Sequence, residues 1–131
     1  MHSKRLHTTV GTCCLMSIDT PNGSAEIGSI WCGTVARGTE VITSTVLQLL
    51  VFLFDGLGYR RVVWKCDVTN TPSARAAEAL GFIHEGIFRN HMVIKGRSRD
   101  TTWYSIVDTD WPSALAHLQG RLAGKTRHFT G

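Results

Sequence analysis

A polar corner at residues 70–73 carries the side chains best suited to hold a polar ligand. Asn70 offers both a hydrogen-bond donor and an acceptor, which suits an amide-bearing chain. Ser73 places a hydroxyl in what we predict to be the first turn of a helix, where free N–H groups and the helix dipole favour negative charge. Both residues are also common helix-capping types. The corner is therefore either a binding site or a plain helix cap.

A glycine-containing loop at residues 33–40 is a candidate anion site. It precedes a predicted helix, so its N–H groups could bind a pyrophosphate. Arg37 would add positive charge, whereas the carboxylate of Glu40 opposes phosphate binding unless it turns away. An ordinary connecting loop is the alternative interpretation.

Two carboxylates are candidates for a general base. Glu85 is the preferred one, and Glu26 is the second. A base would be needed to deprotonate an amine nucleophile, because free amines have pKa values of roughly 8 to 10.4. Each carboxylate could instead belong to a surface ion pair.

Cationic side chains also follow a predicted strand and its turn: Arg89, His91, Lys95, Arg97 and Arg99. Such a stripe could receive an anionic acceptor or adenosine phosphates. The alternative is a solvated face of the sheet, which is the commoner role for a row of charges. The sequence alone favours the solvated face.

The elements around the corner follow from hydrophobic periodicity. Alternating apolar residues over 62–68 predict a strand that is mostly buried. Pro72 suits the first turn of the helix predicted over 72–80, because the N–H that proline lacks has no partner there. Gly81 then ends this helix, since glycine tolerates the left-handed conformation.

The rest of the chain completes a single α/β domain over residues 1–131, with a core at about 10–112. We predict a polar lead-in at 1–9, strands at 10–18, 25–32, 60–68, 82–95 and 101–107, helices at 40–54 and 113–122, and a flexible tail at 124–131. The fold class is a mixed, largely antiparallel twisted sheet with flanking helices. Its central parallel pair, strands 25–32 and 60–68, is joined by a right-handed crossover.

Composition excludes several classes of protein. The net charge of +4 is spread along the chain, so nucleic-acid binding is not required by it. The longest apolar run, 46–54, is too short to cross a membrane. Four cysteines show no metal-ligand spacing, which indicates free thiols and no metal. With no secretory signal at the start of the sequence, we expect a cytoplasmic protein.

Several short motifs resemble one known family. They are Asn70-x-x-Ser73, Ala76-Ala77, Leu80-Gly81-Phe82, Glu85-Gly86, Trp64-Lys65-Cys66-Asp67 and the run from Lys95 to Thr101. Together they are similar to the GNAT superfamily of N-acetyltransferases, in its RimJ/RimL-type branch. The resemblance covers roughly residues 10–112. In the family's phosphate loop, Gly38 matches the first glycine, but Val35 and Glu40 depart from the pattern.

This resemblance implies acetyl-CoA as the donor and a primary amine as the acceptor, with direct attack on the thioester in a ternary complex. It also implies that the two central parallel strands splay apart and that the pantetheine arm lies between them. Ser73 would donate a hydrogen bond to the leaving thiolate. The implied coenzyme A contacts are Ile30, Trp31, Arg37, Gly38, Thr39, Asn70 and Ser73.

Family members carry a strand and two helices ahead of the first hairpin, whereas about nine residues precede Val10 here. The resemblance therefore implies a domain that lacks these N-terminal elements. Two alternatives follow: a catalytically inactive protein that binds acyl-CoA or dimerises, and a strand-swapped homodimer with a complete site. A basic nucleic-acid-binding module is a distant third.

Overall fold

The computed structural model describes residues 1–37 and 39–127, which form a five-stranded main sheet, a short two-stranded sheet and three α-helices. The strands are β1 (His2–Ser3), β2 (Thr8–Thr9), β3 (Gly11–Asp19), β4 (Ser24–Cys32), β5 (Arg61–Asp67), β6 (Ile83–Ile94) and β7 (Arg97–Val107). The helices are α1 (Val41–Val51), α2 (Thr71–Ala79) and α3 (Trp111–Arg127).

The main sheet has the strand order β3-β4-β5-β7-β6. Only β4 and β5 pair in parallel, and α1 makes the crossover between them. The other neighbouring pairs in this sheet are antiparallel. The predicted fold class, a mixed and largely antiparallel sheet with a central parallel pair, is confirmed.

The three helices pack on the same face of the sheet. Buried side chains from each of them join one cluster with alternate residues of the central strands, such as Val62 and Ile106, which are 0% exposed. Trp64 and Phe82 contribute tilted rings with centroids 5.5 Å apart. This face therefore forms the hydrophobic core of the domain.

The opposite face of the sheet carries the residues that alternate with the core positions. Glu26, Arg61, Lys65 and Trp103 lie on it, and no described helix packs against them. The Lys65 ammonium lies 4.9 Å from the centroid of the Trp103 ring, a cation–π contact. We call this surface the open face.

Local turn chemistry is as the sequence indicates. Asp19 accepts hydrogen bonds from the backbone and side chain of Asn22, and Gly23 has a φ of 63°, which closes the first hairpin. Gly81 follows α2 with a φ of 92°, as expected of a terminating glycine. At Gly86 the ladder between β6 and β7 shifts register, which marks a β-bulge.

Three details differ from the predictions. Residues 1–9 include the short β1–β2 ladder instead of an unstructured lead-in. After α1 the chain continues as a π-helical turn, Phe52–Gly56, so the helical region extends slightly beyond the predicted end. Helix α3 runs to Arg127, where a flexible tail was predicted from 124, and residues 128–131 lie outside the described part. No helix in the described part is long and apolar enough to cross a membrane.

Candidate active site

The central feature of the site is a gap between β4 and β5. These strands pair at only three positions, Ser24–Arg61, Ala25–Val62 and Glu26–Val63, and then diverge. A cleft of about 690 Å³ opens beyond the last pair. Backbone groups of β4 that face β5 beyond Glu26 have no ladder partner on β5, so an extended ligand could pair with them as an added strand would.

Residues from both faces of the sheet line this cleft. Trp64 and Cys66 reach it from the core face of β5, whereas Lys65 and Asp67 reach it from the open face. The lining of the gap therefore includes residues that point to opposite faces of the sheet.

The polar corner lies at the cleft, as the sequence indicates. Asn70 Oδ1 accepts a hydrogen bond from the Ser73 backbone N–H at 3.2 Å, so Asn70 is the N-cap of α2. The Trp64 indole donates to the Ser73 hydroxyl oxygen at 3.1 Å. Asn70 and Ser73 both line the cleft. Capping and binding are therefore compatible roles for this corner.

The 33–40 loop contributes one of its predicted residues to the cleft. Arg37 lines the gap, immediately after a short 3-10 turn over Thr34–Ala36. The Thr39 hydroxyl donates a hydrogen bond to the Ala36 carbonyl at 2.6 Å and accepts one from the Val41 N–H at 3.4 Å. These two hydrogen bonds stabilise the start of α1. Thr39 is not among the lining residues, and Gly38 lies outside the described residues.

The end of β4 supplies the other predicted contacts. Ile30 and Trp31 line the cleft, and Trp31 remains 63% exposed. Between residues 28 and 31 the ladder with β3 is irregular, and Ser29 has a φ of 49°. Ser29 is thus a bulge position, which redirects the backbone groups of β4 beside the gap.

Glu85 is the predicted catalytic residue that the structure does not bring to the cleft. Its carboxylate accepts two hydrogen bonds from the Arg61 guanidinium, at 2.6 and 2.9 Å. This pairing lowers the pKa of Glu85 and raises that of Arg61. Arg61 sits at the closed end of the β4–β5 pair, opposite Ser24. The ion pair with Arg61 and the position at the closed end make Glu85 a weaker candidate for the base than Glu26, and its catalytic role stays a prediction.

Glu26, the second candidate, lies at the last paired position before the strands diverge. It is 5% exposed, and its Oε2 accepts from the Ser17 hydroxyl at 3.3 Å and lies 3.4 Å from the Lys65 ammonium. A Cβ added to Gly28, which lines the cleft, would lie 3.3 Å from Glu26 Oε1. Glu26 is therefore a buried, paired carboxylate beside the cleft.

Sequence reasoning gave no role in the site to Trp64 or Lys65, which line the cleft. Trp64 could have been found, because a buried indole N–H normally has an acceptor and the nearest polar element is the following helix start. Arg99 belonged to a cationic stripe for which a solvated face was favoured over anion binding, and β7 carries it to the gap. No sequence signal distinguishes Arg99 from its neighbour Arg97.

Metal ligation has no support among the described residues, where no group of three or more His, Cys, Asp or Glu side chains could hold an ion. The four cysteines are free thiols, and burial raises the pKa of Cys13. The lining of the cleft includes hydroxyl, carboxylate and cationic side chains.

The site thus lies in a mixed sheet that is split between two parallel strands, with a capped helix start at the gap. The family model described as "Acetyltransferase (GNAT) domain" matches residues 2–83. The chain belongs to this GNAT acetyltransferase family.

Curated relatives carry acetyltransferase names. The "Putative ribosomal N-acetyltransferase YdaF" of Bacillus subtilis is 31% identical over 101 residues, which are 77% of this chain and 55% of that protein. The "Uncharacterized N-acetyltransferase p20" of Bacillus licheniformis is 32% identical over 108 residues, which are 82% of this chain and 60% of that protein. The chain thus spans a little over half the length of these relatives.

Solved structures share the fold. A GCN5-related N-acetyltransferase from Brucella melitensis superposes with a TM-score of 0.89 and 45% identity, over 92% of this chain and 55% of that one. A spermidine N-acetyltransferase SpeG variant from Vibrio cholerae has a TM-score of 0.73 and 21% identity, over 85% of this chain and 64% of that one. The second similarity concerns the fold alone.

Proposed function

We propose that this chain transfers the acetyl group of acetyl-CoA to a primary amine by direct attack in a ternary complex. The observation that carries the proposal is the three-pair ladder between β4 and β5, beyond which a cleft of about 690 Å³ opens. A cleft of this size lies within the usual range for small-molecule sites. Membership of the GNAT family supports the same reaction.

The residues of the cleft fit coenzyme A. Unpaired backbone groups of β4 suit the amides of a pantetheine arm, which would lie in the gap as an added strand. Arg37 lines the gap near the start of α1, where a cation and a helix N-terminus together favour a pyrophosphate. Asn70, exposed at the corner, can bind an amide through its NH₂ group while its oxygen caps α2.

Acetyl-CoA is a substrate here, and it supplies an activated acyl group as a thioester. In the proposed reaction the amine lone pair forms a bond to the carbonyl carbon and the carbon–sulfur bond breaks. The nitrogen loses one proton and the sulfur gains one, so the products are an amide and the free thiol. No acetyl-enzyme is required, and Cys66 has no role as a nucleophile.

Ser73 is the group that we assign to the departing sulfur. Its hydroxyl lies in the first turn of α2, where the helix dipole favours negative charge. A hydrogen bond from this hydroxyl would stabilise the thiolate as the carbon–sulfur bond breaks. The backbone N–H groups near the Ser29 bulge are suited to the developing oxyanion.

Glu26 is the base that the geometry favours. An ammonium group has no lone pair, so the amine acceptor must lose its proton before or during attack. Glu26 holds a carboxylate next to the cleft on the open face, and this is the side from which a second substrate can approach. It would accept the proton directly or through a water molecule.

We propose in addition that the chain belongs to the RimJ/RimL-type branch and acts in the cytoplasm. The relative named as a ribosomal N-acetyltransferase supports the branch. The amine acceptor is not specified by the described side chains. A peptide N-terminus and a polyamine are the two chemistries to compare first, and a homodimer stays a prediction.

Thermal melting with coenzyme A, followed by thiol release from acetyl-CoA, tests the proposal. A ligand at 100 times its Kd adds about 2.7 kcal/mol to stability, which raises the melting temperature by several degrees. Thiol release is then measured with spermidine, a peptide that has a free N-terminus, ethanolamine and glucosamine. No thermal shift at millimolar coenzyme A would overturn the proposal. A shift without thiol release from any of these amines would contradict acetyl transfer to them.

A further inference from the structure

Trp64 is placed to control the hydroxyl that the proposed mechanism uses. Its side chain is 5% exposed, lines the cleft and packs beside Phe82. Its indole nitrogen lies 3.1 Å from Ser73 Oγ. The contact joins β5 to the first turn of α2, so it links one wall of the gap to the corner.

The direction of this hydrogen bond is fixed by chemistry. An indole N–H can only donate, so the Ser73 oxygen must be the acceptor. A serine hydroxyl has one proton and two lone pairs. With one lone pair engaged by Trp64, the proton points away from the indole and is available to another acceptor.

We propose that Trp64 is a positioning residue that orients the Ser73 hydroxyl to donate its proton to the sulfur of coenzyme A. The backbone N–H of Ser73 is already held by Asn70 Oδ1. Asn70 thus fixes the main chain of Ser73 and Trp64 fixes its hydroxyl. Together they orient the hydroxyl donor before the thiolate forms. A donor oriented in advance stabilises the negative charge as it develops on the sulfur. This inference rests on the proposed function.

Binding of coenzyme A as a function of pH tests the role without an amine acceptor. An ordinary cysteine thiol has a pKa of about 8.5, so the free thiol of coenzyme A gains thiolate character between pH 6.5 and 9.5. Calorimetric affinities are compared with those of desulfo-coenzyme A, which lacks the sulfur. In the wild type we expect the affinity ratio of the two ligands to rise about tenfold with pH, since a hydrogen bond to a charged group is strong.

The variant Trp64→Phe removes the donor and keeps an aromatic ring against Phe82. We expect this variant to bind desulfo-coenzyme A as the wild type does. The rise of the affinity ratio with pH should be at least about threefold smaller than in the wild type. Ser73→Ala should lose the rise entirely, and Trp64→Phe should then have no further effect. The matched control is Trp103→Phe, because the buried Trp103 Nε1 has no hydrogen-bond partner among the described residues.

The outcomes separate the two proposals. If Ser73→Ala loses the rise of the affinity ratio with pH and Trp64→Phe keeps this rise in full, Trp64 is not a positioning residue. Equal losses for both ligands in Trp64→Phe would indicate a purely structural role and also overturn the inference. Failure of the wild type to bind either ligand would overturn the proposed function itself. If the affinity ratio of Ser73→Ala rises with pH as much as that of the wild type, Ser73 does not have the assigned role and the inference about Trp64 is overturned with it.

Discussion

Glu26 is the last residue of β4 that pairs with β5, opposite Val63, and the cleft begins immediately beyond this pair. The carboxylate of Glu26 is buried on the open face, whereas the corner at Ser73 approaches the gap from the helix-covered face. The two groups therefore bracket the gap from opposite sides of the sheet. This arrangement suits a reaction in which one group receives a proton from the incoming amine and the other stabilises the departing sulfur.

Replacing Glu26 tests the base. We expect Glu26→Gln to lower kcat/KM for the best amine of the panel by about 100-fold or more at pH 7, the usual contribution of a general base. The deficit should shrink as the pH rises through the pKa of the amine, roughly 8 to 10.4, because the neutral amine then needs no base. A deficit that is constant with pH would contradict the assignment.

Glu85→Gln is the complementary variant. We expect turnover within about twofold of the wild type and a loss of roughly 0.5 kcal/mol in the free energy of unfolding at pH 7, since the ion pair with Arg61 is partly exposed. The folded-state pKa of Glu85 is lowered, so its stabilising contribution is present above the unfolded pKa and is lost as the pH falls through the folded value. The free energies of unfolding of variant and wild type, measured by denaturant melts, should therefore converge as the pH falls through the lowered pKa of Glu85. A large loss of turnover would restore Glu85 as a catalytic candidate.

Ser73→Ala tests the group assigned to the sulfur. We expect kcat to fall by about tenfold, because a hydrogen bond to a charged atom contributes about 1.5 kcal/mol or more. The Kd for acetyl-CoA should change little, since the thioester sulfur carries no charge before attack. Single-turnover thiol release and calorimetry separate the two effects. Loss of binding with unchanged turnover at saturation would contradict this role.

Arg37→Gln tests the phosphate contact. We expect coenzyme A to bind about threefold to tenfold more weakly, and the difference from the wild type to diminish at high salt, because an exposed cation is screened. Arg89→Gln on β6 is the matched control, since Arg89 does not line the cleft and should not alter binding. Equal effects of the two variants would indicate a general electrostatic contribution instead of a contact.

Asn70→Ala should destabilise the protein by about 1 kcal/mol, the usual cost of removing an N-cap side chain. Asn70→Asp should recover the stability, because aspartate also caps helices, but not the coenzyme A affinity, because aspartate lacks the amide donor. Thermal melts with and without coenzyme A distinguish the two. Full recovery of affinity by aspartate would show that the NH₂ group of Asn70 does not contact the ligand.

Local patterns in the sequence determined the elements and the corner. The alternation over β5, the capping pair Asn70 and Ser73, and Gly81 after α2 act over a few residues, so their outcome is readable without the rest of the chain. The quoted motifs also indicated the family. The sequence therefore specified the parallel pair, the helices that precede and follow β5 in the chain, and the corner at the start of α2.

The tertiary structure alone decided which carboxylate borders the gap. The sequence places both Glu26 and Glu85 on predicted strands. Only the register of β5 with its neighbours shows which of the two carboxylates lies at the gap. Pairing of Arg61 with Ser24 places the Arg61–Glu85 ion pair at the closed end, and pairing of Val63 with Glu26 places Glu26 at the opening. Strand register and the contact between Trp64 and Ser73 depend on residues far apart in the chain. For that physical reason, neither could be read from local spacing.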